Sequence, residues 1–163
     1  MKTLLIIRHA KSETSFTLND FDRNLNERGK TDAPEMAERL LEKKVDIDIF
    51  ISSPAKRAKR TAELFCETYK KKEKKIQFVP ALYHASLDAF YAAIEEADDK
   101  HDTVAVFSHN PGITAFVNEL VPAKKIDNLP TSGVYAVKIH TNHWKDLKEA
   151  QKEFMFFDYP KNV

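Results

Sequence analysis

Four short apolar runs limit what this chain can fold into. Thr3 to Arg8, Ile47 to Ile51, Ile76 to Val79 and Thr103 to Ser108 are rich in β-branched or aromatic residues and too short for buried helices. The first and last lack polar alternation, which predicts strands covered on both faces. Between the runs, apolar residues recur at helical spacing. Asn26 is expected to cap a helix reaching about Lys44, with Met36, Ala37, Leu40 and Leu41 as its stripe. Pro34 predicts a break in it near Thr31 to Ala33. Pro54 opens a second helix to about Lys71, turning Ala58, Thr61, Ala62, Leu64 and Phe65 inward. Ser86 caps a third to about Ala97, with Leu87, Phe90, Tyr91 and Ile94 apolar. Asn110 caps a fourth to about Leu120, with Pro111 at its first position. Val134 to Ile139 and Glu153 to Phe157 read as further strands, expected to pair antiparallel at one edge.

Strand and helix alternate, so the expected fold is α/β: a three-layer α/β/α sandwich around a mostly parallel central sheet. No repeat or linker divides residues 1–163, so one domain is expected. Lys and Arg number 26 against 25 Asp and Glu, a formal charge of +1. That balance gives no case for nucleic acid or an anionic membrane as partner. The single cysteine, Cys66, excludes an internal disulfide and fits a reducing compartment. Leu4 to Ile7 is too short for a signal-peptide core or a membrane span, so a cytoplasmic protein is expected.

In open parallel sheets, ligands bind beyond the carboxyl ends of the strands. The first run is followed by Arg8, His9, Ala10, Lys11 and Ser12, and the second by Ser52, Ser53 and Pro54, then Lys56, Arg57 and Arg60. The third is followed by Tyr83 and His84, and the fourth by Ser108, His109, Asn110, Pro111 and Gly112. One rim would then carry two histidines, several arginines and two helix N-termini. Guanidinium forks and free helix N–H groups suit a tetrahedral oxyanion. A neutral histidine among them can attack phosphorus, and the neighbouring positive charges disfavour its protonation.

These residues carry a resemblance. Leu5-Ile6-Ile7-Arg8-His9-Ala10 resembles the Arg-His signature of the histidine phosphatase superfamily, the phosphoglycerate-mutase-like enzymes. Ser52 to Ala62 is similar to its Ser-Pro-x-x-Arg-Ala-x-x-Thr-Ala block, Phe107 to Gly112 to its second-histidine block, and Leu25 to Gly29 to its Leu-Thr-x-x-Gly helix start. The Arg-His-Ala-Lys-Ser form, the short length and Pro130-Thr131-Ser132-Gly133 resemble the SixA-like branch of phosphohistidine phosphatases. The resemblance implies His9 as a nucleophile that becomes phosphohistidine. It implies Arg8 and Arg57 on the phosphoryl oxygens, His109 as a further donor to them, and Arg23 at the same pocket. No cofactor or metal is needed by this scheme. The implied partners are phosphate and a protein bearing phosphohistidine.

Many superfamily members carry an acid after the third strand to protonate the leaving oxygen. Pro80 to Ser86 holds no carboxylate before Asp88. An imidazole whose second nitrogen already carries a proton departs neutral, so the missing acid favours a phosphoramidate over an alkyl ester. His84, Asp20 and Asp22 stay open as donors. No long insertion follows any strand, so an open groove suited to a protein-borne group is expected.

Plainer readings stand beside these. Ser12 fits either phosphate contact or loop closure, and Thr131 and Ser132 fit either pocket lining or a turn. Asn110 is carried as a substrate-binding candidate besides its capping role. Ser53 reads as a helix cap, Tyr83 and His84 as a surface loop, and Cys66 as a buried apolar residue. His140 and His143 have metal-like spacing but no supporting carboxylate or cysteine in the pattern, and no metal is assigned. The competing functions are a phosphatase of small phosphomonoesters or a mutase, a non-catalytic phosphate-binding module, and a metal-dependent hydrolase sensitive to chelator.

Overall fold

A computed structural model describes residues 1–163. Its centre is a six-stranded sheet: β1 (Lys2–Arg8), β2 (Ile49–Ser52), β3 (Ile76–Phe78), β4 (Thr103–Ser108), β5 (Val134–His140) and β6 (Gln151–Asp158). Their spatial order is β3-β2-β4-β1-β5-β6. The first four in that order are parallel, and β5 and β6 join antiparallel at one edge, as expected.

Side chains of a strand alternate between faces, and two cores result. Leu4, Ile6, Val104 and Val106 pack against α3 (Leu87–Glu95) and α4 (Gly112–Leu120) through Phe90, Ile94, Phe116 and Val117. Leu5, Ile7, Ala105 and Phe107 pack against α1 (Glu27–Glu42) and α2 (Lys56–Thr68) through Met36, Leu40, Ala62 and Phe65. The sheet thus has helices on both faces, in the three-layer α/β/α arrangement expected from the alternation of strands and helices. No helix is long and apolar enough to cross a membrane.

Three local expectations fail. Helix α1 runs unbroken through Pro34. The bond that proline removes would end on the carbonyl of Lys30, an exposed residue where solvent can serve instead, while Ala33, Met36, Ala37 and Leu40 anchor the helix on both sides. Leu41 is 41% exposed, because that same stripe is complete without it and Leu41 falls on its edge. Asn110 does not cap α4. The cap position belongs to Pro111, which has no side-chain acceptor, and Asn110 lies one residue earlier. Asn26 and Ser86 do cap α1 and α3, accepting from Gly29 and Ala89.

Candidate active site

The parallel register sets the site. β1 and β4 pair with Arg8 opposite Ser108, so the next residues, His9 and His109, leave the sheet side by side. The ladder extends one step further, with the His9 N–H donating to the Ser108 carbonyl at 3.1 Å. The two imidazole centroids stand 5.1 Å apart. β2 ends beside β4, and the chain then starts α2, whose second residue is Arg57. Arg57, His9 and His109 are all buried, each less than a tenth exposed.

Each group is held by identifiable contacts. The Nδ1–H of His9 donates to the Ala10 carbonyl at 2.7 Å, which leaves Nε2 with its lone pair. The Ala10 N–H in turn donates to Thr61 Oγ1, whose hydroxyl donates to the Arg57 carbonyl. The loop after His9 is thereby tied to the first turns of α2. Gly29 packs the start of α1 against the same loop: a Cβ there would lie 2.1 Å from the Lys11 carbonyl oxygen. His109 Nε2 lies 2.8 Å from Ser53 Oγ, which also accepts the Ala55 N–H. Ser53 does not cap α2, whose cap position is Ala55, and instead supports His109 through a contact across 56 positions that local sequence does not reveal.

A cavity of about 370 Å³ opens above these groups. Arg8, His9, Arg57, His109, Arg23, Ser12, Asn110 and Thr131 all line it, together with Lys11, Asp20 and His84. Ser132 does not. Its N–H donates to the Arg8 and His9 carbonyls, and its hydroxyl is buried away from the cavity, at a backbone φ of 61°. It braces the Arg8-His9 loop from behind. Asn110 turns its amide to Asn128, Leu129 and Thr114, so most of its bonding capacity serves the fold. Tyr83 and His84 belong to the site rather than to a detached surface loop, since the Tyr83 hydroxyl donates to Asp20 Oδ2 at 2.7 Å. His140 and His143 lie elsewhere, facing Glu153 and Asp99 singly.

The electrostatics follow from burial and the crowd of cations. Burial above all, then the charges of Arg57, Arg8 and Arg23, push His9 down to about 3 from an ordinary 6.5. The Ala10 carbonyl opposes this without reversing it. Burial, His9 and Arg57 push His109 down to about 2. Both rings are neutral at pH 7. Asp20 is also pushed down, which favours its charged form: the Tyr83 hydroxyl, then Arg23 and Arg57, hold its carboxyl far below the usual carboxylate range. Arg8 Nε, Arg57 Nε and His109 Nδ1 are buried with no hydrogen-bond partner in the protein. Three such nitrogens on residues lining one cavity call for an acceptor from outside the chain.

Comparisons with known proteins bear on the fold and the family. The protein histidine phosphatase SixA in complex with tungstate superposes with a TM-score of 0.84, covering 98% of each chain at 23% identity. SixA from Agrobacterium tumefaciens superposes with a TM-score of 0.80, at the same coverage and identity. ML1117, an uncharacterized protein of Mycobacterium leprae, is 28% identical over 95% of this chain and 100% of its own length. The model of the histidine phosphatase superfamily (branch 1) matches residues 4–91, a span that contains the Arg8-His9 pair, Arg23, Arg57 and Tyr83. The chain belongs to branch 1 of the histidine phosphatase superfamily.

Proposed function

We propose that this protein is a phosphatase that works through a phosphohistidine on His9 and takes its phosphoryl group from a protein phosphohistidine. The observation that carries the reading is the free Nε2 of a neutral, buried His9 beside nitrogens of Arg8, Arg57 and His109 that lack protein acceptors.

In the first step the Nε2 lone pair attacks phosphorus. The bond from phosphorus to the substrate nitrogen breaks, and its electron pair stays on that nitrogen. The substrate ring already carries a proton on its other nitrogen and departs neutral. His9, now bearing phosphorus on Nε2 and hydrogen on Nδ1, is cationic, and the Ala10 carbonyl accepts from that N–H. Water then attacks phosphorus, the pair returns to Nε2, and both water hydrogens leave on dihydrogen phosphate. Arg8 and Arg57 stabilise the equatorial oxygens, with Arg23 entering from the loop. With the Ser53 hydroxyl donating to Nε2 of His109, that ring offers Nδ1–H to the same oxygens.

Two features support a phosphoramidate borne on protein. Asp20 stays ionised and His9 and His109 stay neutral, so none of the three is charged with a proton for an alkoxide. The loop from Ser12 to Arg23 and the end of β3 also expose apolar side chains suited to a protein surface. Phe16, Phe21 and Phe78 are exposed, and Lys59 lies over the Phe78 ring. The likeness to a protein histidine phosphatase supports the same substrate class.

The test is to incubate the protein with a radiolabelled phosphohistidine protein and quench in alkali. Label on the wild type and none on His9→Ala is expected, with slowed turnover in His109→Ala. Faster turnover of an alkyl phosphomonoester than of the phosphohistidine protein would refute the substrate assignment.

A further inference from the structure

Asp20 already holds the groups that a phosphoryl group needs. A guanidinium has five N–H donors. Four bonds engage those of Arg23: Nε and Nη2 reach Asp20 Oδ1 at 3.2 and 2.8 Å, and Nη1 reaches Ser12 Oγ and the Glu13 carbonyl. Arg57 gives Nη2 to Asp20 Oδ2 at 2.9 Å and Nη1 to the Asp20 carbonyl. To a guanidinium fork, a carboxylate and a phosphoryl group present the same pair of accepting oxygens. Asp20 therefore stands where an incoming anion must compete.

The two partners of this contact differ in how firmly they are placed. Arg57 is buried in the first turn of α2. Asp20 sits in a single 3-10 turn, Asp20–Asp22, that buries no residue, and every residue from Phe16 to Asp22 is exposed. The carboxylate is thus the side of the pair that can withdraw without uncovering a core.

We propose that Asp20 is a tethered competitor of phosphate. It holds Arg23 and Arg57 while the cavity is empty, yields them to the phosphoryl group, and reclaims them as inorganic phosphate leaves. The inference rests on the reading of the cavity as a phosphoryl site and adds a means of product release to it. A buried cradle with three arginines would otherwise bind its own product tightly. Returning an internal anion to two of those arginines removes that hold.

A purely positioning Asp20 would do the opposite. If it only aligned Arg23 and Arg57, its loss would weaken phosphate binding. Calorimetric titration of the full chain with inorganic phosphate separates the two by sign. Asp20→Asn is expected to bind phosphate about tenfold more tightly, the scale of one charge-assisted hydrogen bond. Tyr83→Phe, which removes a donor from Asp20 without removing its charge, should shift affinity the same way by less. In rapid-mixing kinetics, Asp20→Asn should release phosphate more slowly than the wild type. Unchanged or weaker phosphate binding by Asp20→Asn overturns the proposal. A wild-type protein that binds no phosphate overturns the phosphoryl-site reading beneath it.

Discussion

The cavity has a floor and a wall built by different means. The floor is His9, His109 and Arg57, placed by the β1–β4 register and the first turn of α2, and buried. The wall is the loop from Ser12 to Arg23, mostly exposed and attached through Asp20, Arg23 and Tyr83. The floor carries groups whose position must not change during bond formation. The wall carries the ion pairs that, on the proposal, change when an anion arrives. Rigid placement of the reacting atoms and adjustable placement of the charges around them can thus coexist in one cavity.

The largest expected break is in the floor. His9→Ala should lower turnover on the order of 10⁴-fold or more, because the covalent route is lost. Arg57→Ala should cost on the order of 10²- to 10³-fold in kcat through lost transition-state stabilisation. Arg23→Ala, in the wall, should cost only about tenfold and act mainly on KM, since the Arg23 side chain is partly exposed on the loop while that of Arg57 is buried. Equal losses for the two arginines in steady-state kinetics would erase the contrast between floor and wall. Ser53→Ala should act within the floor, lowering kcat several-fold by releasing the His109 ring and lowering stability by about 1 kcal/mol in chemical denaturation.

A further effect is on acid stability, and its direction is fixed. The unfolded chain protonates both histidines near 6.5, while the folded protein does so only near 3 for His9 and near 2 for His109. Between those values the unfolded state binds more protons. The contribution of these two groups to stability is therefore flat above about pH 6.5 and declines as pH falls toward 3. Mutating both histidines to Gln should flatten that part of the denaturation profile. An unchanged slope would mean the rings are not held neutral by the floor.

Much of the floor was legible because its signals are local. Apolar runs marked the strands, the residues just past each run marked the rim, and Arg57 lies within a turn of Pro54. The wall was less legible because it rests on contacts between distant positions. Asp20 meets Arg57 across 37 positions and Tyr83 across 63, and no periodicity encodes either. The sequence kept Asp20 open as a proton donor, whereas its three donors hold it ionised. Ser132 looked like pocket lining because it sits beside Thr131, but its left-handed backbone turns the hydroxyl inward. Propensity alone predicts a break at Pro34, but the packing of Ala33, Met36, Ala37 and Leu40 holds α1 together.

The central claim is that the phosphoryl group passes through Nε2 of His9. A phosphorus–nitrogen NMR correlation on the phosphoenzyme, prepared with nitrogen-labelled histidine, measures this directly. The expected spectrum shows phosphorus bonded to Nε2 of His9, with the proton retained on Nδ1. Phosphorus on Nδ1, on His109, or on no histidine while turnover proceeds would contradict the account.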